Sequence, residues 1–223
     1  MIWMLACVWV PEETPEERLA QASQKVIFAS VEKLGSHRYT AQVRRREYRG
    51  DELVSEHEER VQIDWIDWDN FSYMREVDDR EVMNLVVIDH QTWQLKKNGV
   101  WEQRPDAEPY RVQMRSSWNT WDQFVGPFEK ALVWKDLGES EQDGRKVQLY
   151  EVDVDPLKIS QKRNLIPKSI SGSVSIDQAT AVRVYAEVQL SSTHDDYTKD
   201  VRLQLRREDI GGDIKLQSPA EKK

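Results

Sequence analysis

Histidines and paired carboxylates are the side chains that most often bind metals or move protons near neutral pH. The four histidines, His37, His57, His90 and His194, lie far apart and in different expected elements. None has the four-residue helical spacing that lets two imidazoles share a zinc ion. They read as solvated turn histidines, with no metal site. Asp64-Trp65-Ile66-Asp67-Trp68-Asp69 interleaves acids with tryptophans. Such a run could be a sugar platform or a cation site. The alternative, adopted here, is a strand with Trp65 inward and the acids outward, running into a turn. Asp153, Asp155, Asp195 and Asp196 fall at expected strand ends or turns, where aspartate is common. The sequence holds no G-x-S-x-G elbow, no phosphate loop and no paired-carboxylate motif. Nothing in it calls for catalysis or for a cofactor, and the chain reads as a non-enzyme.

The remaining reactive group is Cys7, the only cysteine, which rules out an internal disulfide and a cysteine-based zinc site. It follows Ile2-Trp3-Met4-Leu5-Ala6, which looks like the end of a bacterial lipoprotein signal. There a small residue precedes the cysteine that becomes acylated. Leucine is preferred three places before the cysteine; here Met4 stands there and Leu5 comes one place late. The other reading is an apolar N-terminus with a free thiol. On the first reading Cys7 is a lipid anchor, and Val10-Pro11-Glu12-Glu13-Thr14-Pro15 is a polar tether. Residues 1–13 are then a remnant signal and tether, and the tail 218–223 is disordered.

Composition narrows the class. The 223 residues suit one domain, here 14–217, since all-β units often run to about 200–250 residues. No stretch approaches the ~18 apolar residues of a membrane-spanning helix. The formal net charge of −8 disfavours nucleic acid, whose binding draws on basic surface. Nine tryptophans offer broad apolar area with an N–H that seeks a partner.

The elements follow from periodicity. Thr14-Pro15-Glu16-Glu17 has the form of a capping box with proline at the first helical position. Apolar residues at three and four then predict a helix over 14–34, stopped at Gly35. The period changes to two at Tyr39, Ala41 and Val43, and again at Val61, Ile63 and Trp65, at Phe71, Tyr73 and Val77, and over 82–88. Gly50-Asp51, Asn98-Gly99 and Asp143-Gly144 are turns between alternating segments. A second helix is capped by Asp106, holds Pro109 in its first turn, and ends at Gly126-Pro127. Its apolar stripe is Met114, Trp118, Trp121 and Val125. The stripe either closes a core or lines a cavity, and a core with a gap is a pocket. Strands resume over 130–137, 146–154, 168–176, 181–190 and 199–206.

The order is helix, about five strands, helix, about five strands. That order resembles the LolA/LolB-like lipoprotein-carrier superfamily, which includes mycobacterial lipid-binding lipoproteins and the N-terminal domain of an envelope-stress anti-sigma regulator. Tyr39-Thr40-Ala41-Gln42-Val43 is similar to its first strand. Val86 to Leu95 is similar to a strand–turn–strand passage, and Gly172-Ser173-Val174-Ser175-Ile176-Asp177 with Thr180-Ala181-Val182 to its late hairpin. The resemblance implies an α+β, mainly β fold: a curved, incomplete antiparallel β-barrel of about ten strands, covered by two or more helices over an apolar cavity for acyl chains. Tyr39, Ala41, Val43, Trp65, Phe71, Tyr73, Met114, Trp118, Trp121 and Val125 are the residues expected to line that cavity. The implied protein is an envelope lipoprotein on the periplasmic side of a bacterial membrane, the outer rather than the inner. Its partners would be a lipid or lipoprotein acyl chain and, through acylated Cys7, the membrane surface. The rival reading is a protein-binding or sensing module with an envelope protein as partner.

Overall fold

The alternating segments become eleven strands in one antiparallel sheet. The computed structural model describes residues 14–23, 27–155, 165–217 and 219. The strands are β1 (His37–Arg49), β2 (Glu52–Asp67), β3 (Asn70–Val77), β4 (Arg80–Ile88), β5 (Gln91–Leu95) and β6 (Trp101–Arg104), then β7 (Leu132–Gln142), β8 (Arg145–Val154), β9 (Leu165–Asp177), β10 (Arg183–His194) and β11 (Tyr197–Glu208). The first group therefore holds six strands, the sixth being the short β6 that follows the expected Asn98-Gly99 turn. Gly99 takes φ +79°, which glycine adopts without strain.

The spatial order is β6-β5-β4-β3-β2-β1-β11-β10-β9-β8-β7. Two meanders are joined at one long-range seam, β1 against β11. The ends of this order, β6 and β7, do not pair with each other, so the barrel is incomplete. A sheet this wide has to curl to cover its own apolar face. Gly172 in β9 marks where curling brings backbones close. A Cβ there would sit 2.1 Å from the Glu187 carbonyl oxygen and 2.8 Å from Val188 Cα on β10.

Period two sorts the side chains. On β1, Tyr39, Ala41 and Val43 are buried while Gln42 and Arg44 are exposed. The outer face carries cross-strand ion pairs such as Arg38–Asp64 (2.6 Å) and Arg202–Glu187 (2.7 Å). Exposed pairs contribute little stability each, but they mark this face as the solvated one.

Helices cover the inner face. In α1 (Pro15–Ser23) the capping box forms: the Glu17 N–H donates to Thr14 Oγ1 (3.2 Å) and the Thr14 N–H to Glu17 Oε2 (2.8 Å). The expected first helix is described in two parts, α1 and α2 (Ile27–Leu34), with 24–26 outside the described residues. Gly35, at φ +84°, follows its end as expected. The second expected helix is also divided. It comprises α3 (Glu108–Trp118) and α4 (Thr120–Phe124), followed by a 3-10 turn at Gly126–Ala131. Ala107, not Asp106, is its N-cap residue, although Asp106 Oδ1 accepts from the Glu108 N–H at 2.9 Å.

Candidate functional site

The helix divides at Asn119, and side-chain hydroxyls account for it. Ser117 O accepts from Thr120 Oγ1 (2.6 Å) and from the Tyr39 hydroxyl (3.3 Å). A continuous helix would direct that carbonyl to the N–H of residue 121; hydroxyl groups compete with that pattern. The Tyr39 hydroxyl also donates to Thr120 Oγ1 (3.0 Å), and the Tyr73 hydroxyl bonds Ser117 Oγ (2.8 Å). Two inner-face tyrosines, from β1 and β3, thus hold the α3–α4 junction. Burial raises the pKa of both. The Arg111 guanidinium holds the start of the cover by donating to Trp68 O (2.9 Å) and Asp69 Oδ1 (2.8 Å).

All ten residues expected around a cavity lie in one buried cluster, none more than 5% exposed. Tyr39, Ala41, Val43, Trp65, Phe71 and Tyr73 come from the sheet. Met114, Trp118, Trp121 and Val125 come from the cover. The break at Asn119 separates the two tryptophans. Trp118 meets Trp65 edge-on at 4.7 Å and Trp68 at 6.0 Å. Trp121 turns to the other meander, 5.9 Å from Trp134 of β7, which in turn meets Tyr150 of β8 at 5.9 Å. The cover therefore bridges the two meanders.

The inner face also holds polar and charged side chains that sequence reasoning missed. His37, expected as a solvated turn residue, is fully buried at the start of β1. The inward phase of β1 begins one residue before Arg38, so His37 joins Tyr39, Ala41 and Val43. It pairs with Trp65 in the β1–β2 register and stacks on Trp118 at 5.8 Å. Its Nδ1 lies 2.8 Å from Gly35 O. That oxygen can only accept, so Nδ1 carries the hydrogen. The other three histidines are exposed.

Desolvation, helped by the charge of Arg207, lowers the His37 pKa from 6.5 to about 3. The unfolded chain therefore takes up this proton below pH 6.5, and the folded chain only near pH 3. Stability should fall as pH drops through that window, by up to about 1.4 kcal/mol per unit. Replacing His37 with Gln should flatten the slope of unfolding free energy against pH between 4 and 6. An identical slope in both proteins would show that His37 does not set it.

Arg183 and Arg207 are the other missed residues. Arg207 continues the inward phase of Val201, Leu203 and Leu205 on β11, one residue past the expected strand end. That phase was a usable signal. Arg183 had none: a bulge between Arg183 and Tyr185 resets the alternation, so Arg183 lies opposite Ile176 on the inner face.

Elsewhere, Trp65 points inward and Asp64 outward, as expected of the acid–tryptophan run. A hollow of about 390 Å³ opens on the outer face between Thr40, Gln42, Arg60, Gln62, Gln204 and Arg206. Ala41, Val61, Met74, Tyr185 and Leu205 line it as well, so its wall is mixed. Among the described residues no group of three or more His, Cys, Asp or Glu could hold a metal ion. Cys7 lies outside the described residues.

No family model matches the chain, and no curated protein does. Among solved structures, it is similar to the lipoprotein LppX of Mycobacterium tuberculosis, at 12% identity and a TM-score of 0.35, covering 92% of this chain and 100% of that one. It is similar to LprF of Mycobacterium bovis at 14% identity and a TM-score of 0.34, covering 94% and 99%. A LolA superfamily protein of Nitrosomonas europaea, from the group whose pattern the sequence resembles, follows at 10% identity and a TM-score of 0.27, covering 94% and 96%. Likeness of this degree transfers neither ligand nor partner.

Proposed function

We propose that the chain is a non-enzymatic envelope lipoprotein, folded as one unit over 14–217, that holds a lipid, acyl chain or other hydrophobic ligand between sheet and cover. One observation carries this reading. The inner face of a wide, unclosed sheet is covered by short helices that pack Met114, Trp118, Trp121 and Val125 against it and are pinned by a few hydroxyl and guanidinium bonds. Helices of 11 and 5 residues have little stability of their own. The long strands bond one another continuously, so the cover is the part that can lift while the sheet persists. Apolar residues on both sides of that seam would then meet an alkyl chain, gaining about 25 cal/mol for each Å² removed from water. Acylation of Cys7 would hold the domain at the periplasmic side of a membrane, the outer in preference to the inner, as a fixed acceptor or tethered carrier.

The test is uptake of an apolar fluorescent probe, N-phenylnaphthylamine, with mass spectrometry of organic extracts from the purified protein. Saturable uptake, displaced by lipid, is expected. Met114→Arg places an unpaired charge against the alkyl site and should weaken uptake by roughly tenfold or more. Val112→Arg adds the same charge on the exposed side of α3 and should change little. Wild-type protein that takes up no probe and yields no lipid would sink the proposal. The second reading, an envelope protein-binding or sensing module, would then stand on the unpaired edge strand β7. Its exposed Val133 and Leu137 suit strand addition by a partner.

A further inference from the structure

Arg183 and Arg207 are 6% and 3% exposed, and only Arg183 has a carboxylate within 4 Å among the described residues. Arg207 lies opposite Tyr39 in the β1–β11 register, its guanidinium 4.8 Å above that ring. One of its N–H groups donates to Arg183 O, and its Nε has no hydrogen-bond partner among the described residues. Among the described residues no carboxylate pairs with it. Arg183 stacks 4.7 Å over Trp121, with Glu129 at 3.8 Å and Asp122 also on its side. The Arg183 Nε has no partner either. Among the described residues the buried indole N–H groups of Trp118 and Trp121 on the cover, and His37 Nε2 on β1, have no hydrogen-bond partner. Burial lowers both guanidiniums to about 10, so both stay charged at neutral pH, and each opposes the other.

A charge removed from water is costly unless an opposite charge meets it. Glu129 and Asp122 answer Arg183 in part, and among the described residues no carboxylate answers Arg207. Forked N–H donors of this kind match the oxygens of a carboxylate or phosphate. From Arg207 the inner face runs on through Leu205, Leu203 and Val201, an apolar track of about 20 Å at strand spacing. Charge at one end and apolar surface beyond it describe the complement of an amphiphile.

We infer that Arg183 and Arg207 form a receiving site for the anionic oxygen group, carboxylate or phosphate ester, of an amphiphile whose alkyl chain lies along the apolar inner face. This rests on the ligand-binding reading above and names the ligand's chemical class.

The experiment titrates dodecanoate, dodecyl phosphate, dodecanol and inorganic phosphate into the full chain and reads tryptophan fluorescence. Both anionic amphiphiles should bind roughly tenfold or more tighter than dodecanol. Arg207→Met and Arg183→Met should each bring that ratio toward one. Arg207→Met should also melt at a higher temperature without ligand, since it removes a buried charge that no carboxylate of the described residues answers. Equal affinity for the anionic and neutral amphiphiles in the wild-type chain would overturn the inference while leaving lipid binding intact. That comparison needs no variant to fold. A ratio that survives both substitutions would overturn the residue assignment. Inorganic phosphate competing as well as dodecyl phosphate would overturn the amphiphile class. Failure of every alkyl compound to bind, dodecanol included, would end the ligand-binding reading and this inference with it.

Discussion

Gly172→Ala is expected to abolish a cooperative thermal transition or to shift it far down. The added methyl would sit 2.1 Å from the Glu187 carbonyl oxygen and 2.8 Å from Val188 Cα, both backbone atoms of the neighbouring strand. A flexible side chain could rotate away, but a paired backbone cannot. Overpacking a core by one methyl usually costs about 1–3 kcal/mol, and the cost rises when strands must part. Parting here would break the β9–β10 ladder on both sides of the contact. Ser173→Ala, one residue along on the exposed outer face, is the control and should melt like wild type. Equal melting of Gly172→Ala and wild type would show that the two strands have room to separate.

Trp65→Ala is expected to be the most damaging of the large-to-small changes. Trp65 is 1% exposed and touches three rings: Trp68 at 4.7 Å, Phe71 at 6.2 Å and Trp118 at 4.7 Å. Its removal leaves a cavity under the α3–α4 junction and takes from Trp118 its closest aromatic contact. Such changes cost about 3–5 kcal/mol. At about 2–4 °C per kcal/mol for a chain of this size, the midpoint should fall by roughly 10 °C or more. A loss no greater than that of the half-exposed Trp68→Ala would show that Trp65 is not the keystone of the cluster.

The mainly β architecture was legible because the inner and outer faces differ so sharply. Tyr39, Ala41 and Val43 alternate with Arg38, Gln42 and Arg44, and the same contrast recurs from Val61 to Trp65 in β2 and along β10 and β11. Turns were legible where glycine marks them, at Gly50-Asp51, Asn98-Gly99 and Asp143-Gly144. The turns at Asp78-Asp79 and Asp89-His90 have positive φ at both residues without glycine, so composition did not advertise them. The burial of Tyr39, Trp65, Met114, Trp118 and their apolar neighbours was legible for the same reason as the strands. The polar members of the site were not. His37 sits one residue ahead of the visible alternation, Arg207 one residue beyond the expected strand, and Arg183 is turned inward by a bulge. The break at Asn119 was hidden because it depends on hydroxyls brought from Tyr39, far away in sequence.

The single seam between the meanders has a kinetic consequence. Every other strand pair joins neighbours in the chain, through turns or short connections, and such pairs close quickly. The seam joins Arg38 to Glu208 and Arg49 to Tyr197, so loop closure there spans most of the chain. Each meander can therefore assemble early, while the joining step waits for the last strand to be synthesised and sets the overall rate. Until then the edge of β1 stays unpaired, with free backbone N–H and C=O groups along thirteen residues. An unfinished chain exposes an edge of the kind that pairs with other chains. The arginines along it, Arg38, Arg44, Arg45, Arg46 and Arg49, are the charges that would discourage such pairing before β11 arrives.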